Sequence, residues 1–82
     1  MSNSDYRPFV EILVKSVVEF PDELEIEEED EMGARTFYVH VNPEDVGKVI
    51  GKSGRVVSAI RCVVSAVAAK SREKAFVKIV TD

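Results

Sequence analysis

Two glycines three positions apart, Gly51 and Gly54, enclose Lys52 and Ser53 and are followed at once by Arg55. Lacking Cβ atoms, such residues take positive φ and let another backbone come close. A corner of this kind leaves main-chain N–H groups facing outward. Where a helix starts directly after it, those groups sit beside the positive end of the helix dipole, which suits a phosphate oxygen. Lys52 inside the corner and Arg55 behind it add positive charge, and Lys48 lies one helical turn earlier. Contacts of this sort hold a sugar-phosphate chain without reading its bases. The same spacing also serves as a plain corner between helices, so its surroundings decide its meaning.

The elements that must position the corner follow from periodicity. Asn42-Pro43-Glu44-Asp45 predicts a helix opening, with Asn42 as cap, Pro43 at the first helical position and two acids at the positive dipole end. Val46, Val49 and Ile50 share one side of the short helix that follows, and the glycines interrupt it. A longer helix is predicted from Arg55 to about Ser71, with Val56, Ile60, Val63, Val64 and Val67 inward and Arg55, Ser58, Arg61 and Ser65 outward. The two helices should border a narrow apolar groove fit for the unstacked bases of a single strand, with Val46, Val49 and Ile50 beneath them.

Upstream, residues 6–20 predict an amphipathic helix with Phe9, Ile12, Leu13, Val17 and Phe20 inward. Ser4 or Asp5 can cap it, Pro8 is tolerable only in its first turn, and Pro21 stops it. Val10, Val14 and Val18 form a second apolar stripe, wider than one small core needs and available to another subunit. A period of two then takes over at Leu24 and Ile26 and again at Phe37, Val39 and Val41, around Met32-Gly33-Ala34. That predicts a hairpin whose acidic run, 27–31, forms a mobile tip. Residues 75–80 predict a last strand. The expected order is α-β-β-α-α-β, an α+β fold with a three-stranded mixed sheet and three helices on one face, the last strand running parallel to the one holding Phe37 to Val41.

The chain has 82 residues and a net charge of -4, so it is expected to form one domain over 1–82, of modest stability that a partner subunit would raise. The charge is divided. From Lys48 to Lys78, eight basic residues face the single acid Glu73, a net +7, while the remainder holds three basic and 14 acidic residues, a net -11. Eight of those acids fall between Asp22 and Glu31. The basic half coincides with the glycine corner, where a polyanion would bind. No apolar run spans a bilayer, Met-Ser-Asn-Ser-Asp carries no secretion signal, and the single Cys62 suits a reducing cytoplasm.

With these elements in place, the run Val46-Gly47-Lys48-Val49-Ile50-Gly51-Lys52-Ser53-Gly54-Arg55, followed by Ala59-Ile60-Arg61, resembles the signature of KH domains, whose GxxG loop clamps about four nucleotides. The helix and strand before the βααβ core resemble the type II arrangement. The lead-in Asn42-Pro43-Glu44-Asp45-Val46-Gly47 and the helix end Ser65-Ala66-Val67-Ala68-Ala69-Lys70 are similar to the small bacterial KhpA family. The likeness covers about 6–81. It implies single-stranded RNA as partner, phosphate contacts at Gly51, Lys52, Ser53 and Gly54, and a role in post-transcriptional regulation or as an RNA chaperone. It also implies association as a homodimer or with a second KH protein of the KhpB type. Arg55, Lys48 and Arg61 join the expected RNA-binding set by charge.

Other chemistries fit less well. Gly51-Lys52-Ser53 ends like a nucleotide-binding P-loop, but that pattern needs glycine where Val46 stands, and Gly47 is one residue too close. His40 has no second histidine or cysteine cluster to share a metal with, and Cys62 has no neighbouring base. The acidic run lacks the oxygen spacing of a calcium loop. No nucleophile with a base suggests catalysis, and no cofactor or metal is expected. The competing expectation is a module working through protein contacts alone, using Val10, Val14 and Val18, or Tyr38, His40 and Phe76 on the open sheet face.

Overall fold

The structure, a computed structural model, describes residues 6–81, so the expected caps Ser4 and Asp5 lie outside the described residues. Its elements are α1 (Arg7–Lys15), β1 (Glu25–Glu31), β2 (Ala34–His40), α2 (Val46–Ile50), α3 (Arg55–Lys70) and β3 (Lys74–Ile79), with single 3₁₀ turns at Pro21–Glu23, Pro43–Asp45 and Lys52–Gly54. The order matches the expected one. β1 pairs antiparallel with the central β2, and β2 pairs parallel with β3, from Ala34 opposite Lys74 to Val39 opposite Ile79. Ile26, Phe37, Val39, Ala75 and Val77 alternate inward and meet Val10, Val14, Val49, Ile60, Val64 and Ala68 from the helices in one core. The opposite sheet face is open.

The first helix departs from expectation in length and in register. It stops at Lys15 instead of reaching Phe20. Beyond it, Ser16 Oγ donates to the Leu13 carbonyl, and the N–H groups of Glu19 and Phe20 donate to the carboxylate of Asp45 at 2.9 and 3.0 Å. Those amides have left the helical pattern for a better, charged acceptor. The buried stripe is Tyr6, Val10 and Val14, whereas Ile12 is 66% exposed and Phe20 is also exposed. Val10 and Val14 are therefore core residues, and neither is free to meet a partner. Val10 and Val14 join the same core as the inward residues of the sheet, and Tyr6 sets its ring edge-on to Phe37 with centroids 5.6 Å apart.

The acidic run is strand rather than loop. Glu27 to Glu31 pair with residues 34–38 throughout, and the reversal is made by Met32 and Gly33, both at positive φ. Fixed partners hold the acids there. Arg35 lies 3.2 Å from Glu28, 3.9 Å from Asp30 and 3.6 Å from Glu73, with its side chain only 11% exposed and its guanidinium over the Tyr6 ring. Glu29 accepts from the Tyr38 hydroxyl, and Glu27 meets the His40 ring at 2.9 Å. In α3 the inward register also shifts. Val57, Ile60, Val64 and Ala68 are buried, while Val63 is exposed.

Candidate nucleic-acid interface

The helix opening at Asn42 forms as its residue types dictate, as a 3₁₀ turn leading into α2. The Asn42 side chain accepts from the Glu44 N–H at 2.8 Å, and Pro43 takes the first position. Asp45 has a different task from the one its position suggests. It is fully buried and brackets the chain at Glu19 and Phe20, which ties the segment after α1 to the start of α2. Its place beside Glu44 in a helix opening hid this, since nothing in the sequence points to an acceptor for amides 26 and 25 residues away.

α2 ends at Gly51, whose N–H donates to the Gly47 carbonyl at 2.8 Å and whose φ and ψ are 79° and 174°. That conformation is almost confined to glycine. A Cβ there would also fall 2.8 Å from the Val56 backbone nitrogen and closer still to its side chain. Gly51 thus brings the end of α2 directly onto α3. Ser53 and Gly54 follow at φ 57° and 74°, turning the chain into α3. A Cβ on Gly54 would meet only open space, so its outer side stays clear for an approaching ligand.

The corner's hydrogen bonding is uneven. Gly54 N–H donates to the Gly51 carbonyl and Arg55 N–H to the Lys52 carbonyl. The N–H groups of Lys52 and Ser53 have no acceptor among the described residues. Lys52, Ser53 and Arg55 are exposed, and Lys52 and Arg55 make no ion pair among the described residues. Among the described residues the corner therefore has two N–H groups without acceptors and two cations without ion pairs, at the start of a 16-residue helix.

The remaining expected residues are dispersed. Lys48 is exposed but sits 3.4 Å from Glu19. Val49 is 0% exposed and belongs to the core, so it cannot lie beneath a base. It was grouped with Val46 and Ile50 by helical side, but in a helix of five residues the middle of that side is what packs against the sheet. Val46 is half-buried and lines a hollow of about 260 Å³ with Val41, Pro43, Val80 and Thr81, and Ile50 is also half-buried. Arg61 is seven residues from Gly54 and donates from Nε to the Val77 carbonyl at 3.0 Å, against β3.

Two further surfaces stand out. An apolar hollow of about 340 Å³ lies between α1 and α3, lined chiefly by Leu13, Val17, Val56, Ala59, Ile60 and Val63, and it reaches Arg55. Sequence reasoning missed it, because all of those residues but Ala59 were expected in the core. On the open sheet face Phe76 is 49% exposed, and Lys78 Nζ lies 5.9 Å from the Tyr38 ring centroid. Among the described residues, no group of histidine, cysteine or acidic side chains could hold a metal, and no helix is long and apolar enough to cross a membrane.

Comparison with known proteins places this geometry in context. The family described as KhpA/KhpB, KH domain, matches residues 7–79. A protein of Clostridium perfringens named RNA-binding protein KhpA is 42% identical over 74 residues, covering 90% of this chain and 99% of that protein. The protein of the same name from Clostridium acetobutylicum is 39% identical with the same coverage. That of Thermotoga maritima is 36% identical over 67 residues, 82% of this chain and 89% of that one. No solved structure matches the chain.

Proposed function

We propose that this chain, which belongs to the KhpA/KhpB KH-domain family, binds single-stranded RNA by clamping its phosphate backbone at the corner formed by Gly51, Lys52, Ser53 and Gly54. Its element order, with β2 parallel to β3, is the type II KH arrangement. The observation that carries the reading is the corner itself: among the described residues, two N–H groups have no acceptor and two cations have no ion pair, on an exposed turn whose geometry needs glycine. A phosphate bridging those donors would receive charge-assisted hydrogen bonds. Arg55 then steers the next phosphate, and Lys48 joins by exchanging Glu19 for RNA. Val46 and Ile50 border the bases. The whole of 1–82 acts as one KH domain in this reading, in a cytoplasmic setting, in post-transcriptional regulation or as an RNA chaperone and without catalysis of its own. A backbone grip alone extends to single-stranded DNA.

The test replaces Lys52 and Ser53 together by aspartate, setting two negative charges where phosphate sits. Binding of a fluorescent single-stranded RNA should weaken at least about tenfold with the circular dichroism spectrum unchanged. An unaltered affinity in the folded variant would remove the corner from the site.

The hollow between α1 and α3 favours a second reading alongside the first, in which the chain also meets a second copy of itself or a KH protein of the KhpB type there. Val63, which lines the hollow and is exposed, supports an apolar contact. Salt separates the two activities. RNA binding should fall steeply as salt rises, whereas apolar association should not.

A further inference from the structure

The segment between α1 and β1 is tied to the approach to the corner by three side chains. Asn42, Asp45 and Lys48 recur every three residues, and each reaches back to residues 19–23. Asn42 donates from Nδ2 to Glu23 Oε1 at 3.1 Å, Asp45 accepts from the N–H groups of Glu19 and Phe20, and Lys48 Nζ lies 3.4 Å from Glu19 Oε1. These ties differ in exposure. Asp45 is fully buried, whereas the side chains of Glu19 and Lys48 are 65% and 44% exposed. The anchor is thus inside and the carboxylate it presents is open to solvent. Of Lys48, Lys52 and Arg55, Lys48 alone has an ion pair among the described residues.

We infer that Glu19 is a built-in competitor of RNA: its carboxylate holds Lys48 where a phosphate would, and the Asp45 bracket on its own N–H keeps it there. The inference rests on the RNA-binding reading above and adds to it what limits the strength of the grip. A carboxylate and a phosphate offer an ammonium group the same kind of anionic oxygen, so one must leave before the other arrives. Glu19 enters the contact from a backbone already fixed by Asp45, so only its side chain is ordered on pairing. An exposed pair of this kind is weak, and a weak competitor lowers affinity without abolishing it. Phosphates at Lys52 and Arg55 meet no such rival among the described residues, which confines the competition to the α2 side of the corner.

The experiment is a double-mutant cycle on the whole chain, with a fluorescent decauridylate as probe and thermal melting as the folding control. Glu19→Gln should tighten binding about two- to fivefold, and Glu19→Ala should do the same, because the side chain is exposed and its loss leaves the core intact. In a Lys48→Gln background, itself weaker for RNA, the gain from Glu19→Gln should vanish. Asp45→Asn turns an NH2 group toward one of the two N–H groups, releases Glu19 and should shrink the gain as well. A gain of equal size in the Lys48→Gln background means that Glu19 acts through net charge alone, and the inference fails. It fails too if Glu19→Gln leaves the affinity unchanged or weakens it, while the corner's role stands. A full gain in folded Asp45→Asn protein overturns the anchoring by Asp45, and if that variant does not fold, the Lys48 cycle decides. Unaltered and Glu19→Gln proteins that both fail to bind the oligonucleotide remove the RNA-binding reading itself and this one with it.

Discussion

The acidic hairpin and the glycine corner are both dense in charge, yet they use it in opposite ways. Glu27, Glu28, Glu29 and Asp30 each have a partner within the protein, namely His40, Arg35, Tyr38 and again Arg35. Lys52 and Arg55 have none among the described residues, and the two amides of the corner are likewise unfilled. A charge satisfied internally contributes to shape, whereas one left to solvent can be given to a ligand at little cost. The stronger run of like charge in the sequence is therefore the structural one, and the sparser one is the candidate site.

Replacing Gly51 should distinguish geometry from charge most sharply. Gly51→Ala puts a Cβ against Val56 and forces a backbone region that alanine avoids, so it should cost about 3 kcal/mol. Gly54→Ala, with open space around its Cβ, should cost only about 1 kcal/mol. Urea denaturation of both variants checks the ranking, and equal losses would mean that the corner is not packed as described.

On the hairpin side, Arg35→Met should lower stability by about 2 kcal/mol, because it strands Glu28 and Glu73 beside a largely buried site. The carboxylates are partly exposed, which keeps the figure below that of a fully buried pair. RNA affinity of the folded variant should not fall. A drop in affinity without loss of stability would show that the two regions are not separate in function.

The smallest effect concerns pH. Burial, and then the hydrogen bond donated to Glu73, push the Tyr6 hydroxyl up to about 12 from its usual 10. The folded state thus holds its proton more firmly than the unfolded chain does. The resulting stability is complete below pH 10 and disappears as pH rises from 10 toward 12. Tyr6→Phe should flatten that part of the stability profile, measured by denaturant titration at each pH. An identical slope in both proteins would show that the Tyr6–Glu73 contact is not kept in solution.

Much of this could be foreseen from local pattern. The alternation at Leu24 and Ile26 and at Phe37 to Val41, the Asn42-Pro43 opening and the paired glycines each declare their element within a few residues. The obscure parts are those in which two assignments have equal local merit. Both stripes of α1 are apolar, so choosing Val10 and Val14 over Ile12 and Phe20 required the sheet against which the helix lies. An acidic run looks like a repelling loop until Arg35, Tyr38 and His40 are brought beside it. Asp45 looks like a dipole acid until Glu19 and Phe20 return to it.

Sequence alone thus sufficed for the order of elements, the parallel return of β3 and the glycine corner, because periodicity, caps and φ preferences act over a few neighbouring residues. Folding in three dimensions settled which apolar stripe is core, which carboxylates are satisfied, that Val49 is out of reach, and that Glu19 lies beside Lys48. Those outcomes depend on contacts between residues far apart in the chain, and spacing along it carries no record of them.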